Sequence, residues 1–404
     1  MENAKGTGRV AIRVLQPPME STRQCVRRRL RTDRISGPAD WDDCTKLPHS
    51  PGQDDLWSRR STMNGGIVSP VMTQRVRTPS FRFTAQACVL VLAFAATIGI
   101  SMATEMPSNP LFPGADPHAV VAGNTVWLYP TWNDGTPGER FFAFSSTNLV
   151  DWKRHGPVLD FRDVSWIGDD GAPRHHAWAP SVIARNGRWY FYFSVGPQHP
   201  TPARIGVAVG DQPQGPFRDS GRPLLTGGDG FEAIDPMVFT DPATDRCLLY
   251  AGGSAGARLR VFELETNLVR IAKELPVATP PQFTEGVFMH HHAGRYHLTY
   301  SYGGWRDASY SVHYATAPSP TGPWEYHGIL LSSDSIRKGP GHHAFFRDPR
   351  TGEWFVAYHR WEGQSGDGPY RGSRQVCVDR VTYDANGYLQ PISMTGGMSH
   401  SSAK

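Results

Sequence analysis

The sequence predicts an all-β chain folded as a five-bladed β-propeller of four-stranded blades, and three observations predict it. Apolar and β-branched runs of four to seven residues alternate with turn signals such as AGN, RNG, DPATD, HAGR, DPRTG and DANG. Segments with a sustained 3.6-residue period are almost absent. One layout recurs five times: a short opening dipeptide, an apolar strand, a polar turn and a second, aromatic strand. The copies are DPHAVVAGNTVWLYP from Asp116, APSVIARNGRWYFYF from Ala179, DPMVFTDPATDRCLLYA from Asp235, EGVFMHHHAGRYHLTYS from Glu285 and HHAFFRDPRTGEWFVAY from His342. Their spacings of 63, 56, 50 and 57 residues are those of propeller blades; a β-sandwich gives no reason for five copies of one hairpin.

In chain order, residues 1–71 come first. They are Arg-rich, with RRRLR at 27–31, and show neither strand nor helix periodicity, so they are read as an over-long gene start or a disordered leader. Residues 72–103 read as a signal peptide. Arg75, Arg77 and Arg82 precede the apolar run QACVLVLAFAATIGI at 86–100, and Ser101-Met102-Ala103 supplies small residues for cleavage before Thr104. The run is shorter than the about 20 residues a spanning helix needs. A secreted or periplasmic protein with no stable membrane partner after cleavage is therefore expected. Residues 104–404 form the propeller, with no accessory module expected after it.

Charge divides the chain the same way. Residues 1–103 hold 15 Lys+Arg against 8 Asp+Glu, and the other 301 residues hold 26 against 29. The folded part is thus slightly acidic, which argues against a nucleic-acid partner. Its two cysteines, Cys247 and Cys377, lie in apolar strands and are expected to be buried thiols, and no zinc spacing occurs.

In a propeller the innermost strands line one channel, so the opening positions Asp116, Ala179, Asp235, Glu285 and His342 are expected to converge. Three carboxylates at one mouth suit glycoside hydrolysis. One protonated acid serves the leaving oxygen, one carboxylate activates water, and a third charge holds the acid's pKa up.

The motifs then become specific. NPLFPGADPHAV, WAPSV, AIDPMVF, TEGVFMHHHAGRYHLTYS and GPGHHAF occur in that order, and together they resemble glycoside hydrolase family 43 over about residues 109–393. The resemblance implies a five-bladed propeller and single-displacement hydrolysis with inversion. It implies Asp116 as general base, Asp235 as pKa modulator and orienter, Glu285 as general acid, and His342 beside a central metal. No cofactor is required for the chemistry; a structural Ca²⁺ on the axis is the metal expected. Two positions depart from the family's pattern: Ser181 follows W-A-P where an acid is usual, and Val287 replaces the proline of E-G-P.

The substrate implied is a carbohydrate, with α-L-arabinofuranosyl or β-D-xylosyl linkages of plant-wall material first. Galactosyl or fructosyl linkages, or a non-catalytic sugar-binding propeller, are the alternatives. Trp132, Trp178 and Trp305 are candidate sugar platforms and Arg374 a candidate substrate contact. His290, His291 and His297 are read as solvated or packed strand residues, because alternate strand positions face opposite ways. Arg347-Asp348-Pro349, a triplet also found in fructan-cleaving relatives, is read as a turn matching Asp241-Pro242. The polar loop IGDDGAPRHH is long enough to shape the rim.

Overall fold

A computed structural model describes residues 107–132, 138–254 and 256–396; the leader and signal-peptide expectations lie outside them. The described chain is almost wholly β, with two short 3₁₀ turns, and forms five antiparallel sheets arranged as a five-bladed propeller.

Four of the blades run outward from the axis in chain order. Blade I holds strands Ala115–Ala122, Thr125–Thr131, Arg140–Ser146 and Lys153–Asp160. Blade II holds His176–Arg185, Arg188–Gly196 and Arg204–Gly210, and its outer position is shared by the short pieces Arg218–Asp219 and Leu225–Thr226. Blade III is Met237–Thr240, Cys247–Ala251, Arg260–Leu264 and Ile271–Leu275. Blade IV is Glu285–His292, Arg295–Tyr302, Ser311–Ala317 and Glu325–Leu331. Blade V takes Arg337–Arg347, Trp354–Glu362 and Gln375–Val381 from the end of the chain and Phe112–Pro113 from its beginning.

The sequence pattern explains this order. Second strands such as RWYFYFSVG are sandwiched between neighbouring blades, so both faces are buried and the run is continuously apolar. Outer strands such as IAKEL touch solvent and are polar. The cores lie between blades: Phe141, Phe191 and Phe193 fill the gap between I and II, and Tyr192, Leu249 and Phe262 that between II and III. Cys247 and Cys377 are buried free thiols, as expected.

Ring closure bears directly on the site. Phe112 pairs with Val376, and the Asn109 side chain bonds both ways with the Val378 backbone, at 2.9 Å each. The Gly114 N–H donates to the Arg374 carbonyl at 2.9 Å. Two residues later the chain reaches Asp116, so the clasp that shuts the ring also brings Asp116 to Arg374.

Candidate active site

Four of the five inner strands carry the same distortion. The register slips between Ala115 and His118, Trp178 and Ser181, Glu285 and Phe288, and Gly341 and Ala344. One residue at the cavity end of each blade's inner segment takes a left-handed φ: Asp116 (49°), Ala179 (41°), Asp235 (55°), Gly286 (63°) and His342 (41°). Such bulges re-aim side chains, and the positive φ is costly for residues other than glycine. This corrects the repeat alignment. The partner of Asp116 in blade IV is Gly286, and Glu285 stands one residue earlier. The acid therefore leaves the strand in a different direction from Asp116 and Asp235.

The strained residues are held by the preceding blade. The backbone N–H of Asp116 donates to His359 Nδ1 (3.0 Å), that of Ala179 to Thr131 Oγ1 (2.7 Å), that of Asp235 to Ser194 Oγ (2.9 Å), and that of His342 to Ser301 Oγ (2.9 Å). Each acceptor lies near the end of the second strand of the blade before. In blade III that position is Gly252, which has no side chain, and there Asp235 Oδ2 accepts from the Gly286 N–H at 3.0 Å. Asp235 thereby fixes the bulge that aims Glu285.

The three carboxylates are buried and share one cavity of about 310 Å³. Its lining includes all eight residues expected from the sequence: Asp116, Trp132, Trp178, Asp235, Glu285, Trp305, His342 and Arg374. Arg374 Nη1 donates to Asp116 Oδ1 at 2.9 Å. Burial works to raise the Asp116 pKa, but Arg374, His342 and His359 outweigh it and hold the carboxyl well below its ordinary range. Asp235 moves the other way, well above its ordinary value, through burial and then repulsion from Glu285 and Asp116. Adjacent carboxylates pushed in opposite directions take different proton duties. Burial, then the neighbouring Arg374, lowers His359 to about 4, so its ring stays neutral and free to accept from Asp116 N–H.

Two groups that sequence reasoning missed grip Glu285: Tyr310 Oη donates to Oε1 at 2.8 Å and Ser254 Oγ to Oε2 at 2.5 Å. Neither lies in a recurring motif. The only hint was the glycine-rich GGSAGA after the second strand of blade III, where a Cβ on Gly253 would come within 2.5 Å of Glu285 Cβ.

The aromatics differ among themselves. Trp178 lies against Gly196, where a Cβ would meet its ring at 2.2 Å, and the His176 ring runs parallel to it at 5.6 Å. Together they form a flat floor, and His176 closes the IGDDGAPRHH loop. Asp170 pins that loop through Arg204 at 2.7 Å and His175 at 2.9 Å. Trp305 is half-exposed and engaged: the Arg374 and Arg306 guanidinium groups sit 4.8 and 5.5 Å from its ring, and Trp361 stacks at 6.2 Å. It carries Arg374 while it lines the cavity. Trp132 packs on Phe142 and Phe144 under Arg154. Ser181, where the family more often has an acid, accepts from the Val238 N–H at 3.2 Å inside the hub.

The histidine run lies at the opposite end of its strand. His290 pairs with Tyr383 Oη at 2.9 Å and stacks on His297 at 4.8 Å, while His297 accepts from Tyr314 at 2.8 Å. His291 is exposed. Asp348 closes a turn with Gly352 and Arg350, as Asp241 does with Asp245 and Thr244.

His342 Nδ1 lies 3.5 Å from both Asp116 Oδ1 and Asp235 Oδ2. Among the described residues, no three His, Cys, Asp or Glu side chains are grouped to hold an ion. Ca²⁺ takes about six to eight oxygens. One imidazole between two carboxylates, one of them committed to Arg374, does not fit a protein cage.

The family model described as Glycosyl hydrolases family 43 matches residues 107–389. A β-D-galactofuranosidase, xynD of Aspergillus niger, is 35% identical over 71% of this chain and 85% of its own. A xylosidase/arabinosidase of Bacteroides ovatus is 28% identical over 70% and 96%. Among solved structures, a thermostable family-43 glycoside hydrolase superposes with a TM-score of 0.59 at 26% identity, covering 72% of this chain and 99% of that one. A β-xylosidase/α-arabinofuranosidase from a compost microbial metagenome, solved with xylotriose in a calcium-free form, gives 0.57 at 25%, covering 72% and 97%.

Proposed function

The chain belongs to glycosyl hydrolases family 43 and is a glycoside hydrolase, and from that premise we propose an inverting exo- or endo-acting enzyme for α-L-arabinofuranosyl or β-D-xylosyl linkages. Asp116 acts as base, Glu285 as acid and Asp235 as modulator. The observation that carries the reading is the opposed electrostatics of Asp116 and Asp235 in the cavity that also holds Glu285. Asp116, kept ionised by Arg374, takes a proton from the attacking water. Glu285 gives its proton to the departing oxygen. Asp235, buried beside both, is the group least suited to carry charge and instead anchors the Gly286 bulge.

A second reading, β-D-galactofuranosyl linkages, is favoured by the 35% identical relative. The ring stereochemistry of β-D-galactofuranose matches that of α-L-arabinofuranose, and the two differ by one exocyclic carbon. Export through residues 72–103 and a cation held at His342 mainly by water belong to the same proposal. N-terminal sequencing of secreted protein checks the first, expecting Thr104. Unfolding temperature with Ca²⁺ against chelator checks the second, expecting a rise with Ca²⁺.

The function itself is tested with p-nitrophenyl α-L-arabinofuranoside, β-D-xyloside and β-D-galactofuranoside. Turnover of one of them, lost in Glu285→Ala, is expected. No turnover by folded protein on any of the three, with none on arabinan or xylan oligosaccharides, would overturn it.

A further inference from the structure

We propose that Ser254 and Tyr310 are positioning residues that place the transferable proton of Glu285 on one oxygen, Oε2. The proposal rests on the reading of Glu285 as the acid. Tyr310 is fully enclosed and stacks on His359 at 5.6 Å. Burial, then the nearby carboxylates, pushes its pKa well up, so its hydroxyl is a permanent donor to Oε1. Ser254 differs, because a serine hydroxyl both donates and accepts. While Glu285 is protonated, the Ser254 oxygen accepts from Oε2–H; once Glu285 is ionised, the same hydroxyl turns and donates to Oε2.

The backbone is built for this contact. Ser254 holds a left-handed φ of 46°, and its segment passes close to Glu285 only because residue 253 is glycine. Both residues sit at the cavity end of the strand, and Ser254 lines the cavity. The titratable groups around Glu285 are Asp235 from blade III, Tyr310 from its own blade and His342 from blade V, with Asp116 and Arg374 across the cavity.

The step balances as follows. The Oε2–H bond breaks, and its electron pair stays on the carboxylate. The proton bonds to the glycosidic oxygen as the C1–O bond breaks, that pair going to the departing alcohol. Water adds to C1 and gives its proton to Asp116. Two donors then face the new negative charge on Glu285.

The test uses Ser254→Ala, Tyr310→Phe and Ser254→Gly, the last removing the hydroxyl while relieving the backbone. Tyr310 only donates, and a donor favours the ionised form of a carboxyl, so Tyr310→Phe moves the alkaline limb of the kcat/KM–pH profile upward; Ser254 bonds both forms, so its variants are read through the leaving group. On substrates with poor, alkyl-type leaving groups, kcat falls by about tenfold to a hundredfold; on 2,4-dinitrophenyl glycosides, which need no protonation, the loss shrinks to a few-fold. Ser254→Gly matching Ser254→Ala ties the effect to the hydroxyl. Equal losses on both leaving groups, or an unmoved limb in Tyr310→Phe, would overturn the proposal. Glu285→Ala is run beside them: if it also lacks leaving-group dependence, the acid assignment fails; if it shows it and the other variants do not, the positioning role alone fails.

Discussion

The inner strand Glu285–His292 has two ends that use polar residues for opposite purposes. At the axis mouth, Glu285 receives hydrogen bonds on both oxygens yet faces a cavity, among Asp235, His342 and Ser254. At the far end, His290 and His297 stack on each other; His290 Nε2 bonds Tyr383, and both His297 nitrogens are taken by Tyr314 and the His292 carbonyl. Residue type alone misleads here, since four histidines within eight positions attract more notice than one glutamate. What separates the ends is whether hydrogen-bonding capacity stays directed into open space, and how neighbours tilt protonation.

The largest break in that comparison is Glu285→Ala. Its kcat on an oligosaccharide falls by about 10²- to 10⁴-fold, measured by steady-state release of reducing sugar. Next comes Arg374→Ala. Removing the cation paired with Asp116 lets that carboxyl rise toward its ordinary value, so the acid limb of kcat/KM moves to higher pH and activity falls about tenfold to a hundredfold.

Asp235→Asn sharpens the trade between function and stability. Asp235 is pushed above its unfolded value, so at neutral pH its charge costs folding free energy, and the cost disappears below the unfolded pKa. Asparagine keeps an acceptor for the Gly286 N–H. Calorimetry at pH 7 is expected to show a Tm rise of about 2–4 °C per kcal/mol relieved, with lower activity and a smaller rise at pH 3.5.

The buried histidines give the fold its own pH dependence. His118 and His297 are lowered to about 4 and His343 to about 3, burial first in each case. Below pH 6.5 the unfolded chain binds protons that the folded one refuses. Stability is therefore complete above 6.5, falls as the pH drops from 6.5 toward 4, and levels off below 3. Urea unfolding at pH 7, 5.5 and 4.5 checks this and expects falling midpoints. The smallest effect is His291→Ala: an exposed histidine, with stability changed by about 0.5 kcal/mol or less and activity unchanged.

How legible the site was follows from the same geometry. Asp116, Asp235 and His342 each sit at the repeating left-handed position, so the recurrence of one hairpin along the chain carried them to one place in space. Glu285 was found through its motif, but its offset was not, because a one-residue shift shows only in which residue takes the positive φ. The glycine of E-G was the available signal. Ring closure by Phe112–Pro113 was not legible, since two residues are too short for a strand pattern. Tyr310 and Ser254 were hidden because they lie outside the hairpin that repeats. The engagement of Trp305 by Arg374 was not legible either, because it is a contact between loops far apart in sequence.

The measurement that tests the account most directly is the anomeric configuration of the first-formed sugar, followed by proton NMR on whichever p-nitrophenyl glycoside is turned over. A water activated by Asp116 attacks opposite the leaving group, so the inverted anomer appears first and the other grows in by mutarotation. The retained anomer appearing first would require a covalent intermediate and would contradict the assignment of Asp116 as a base.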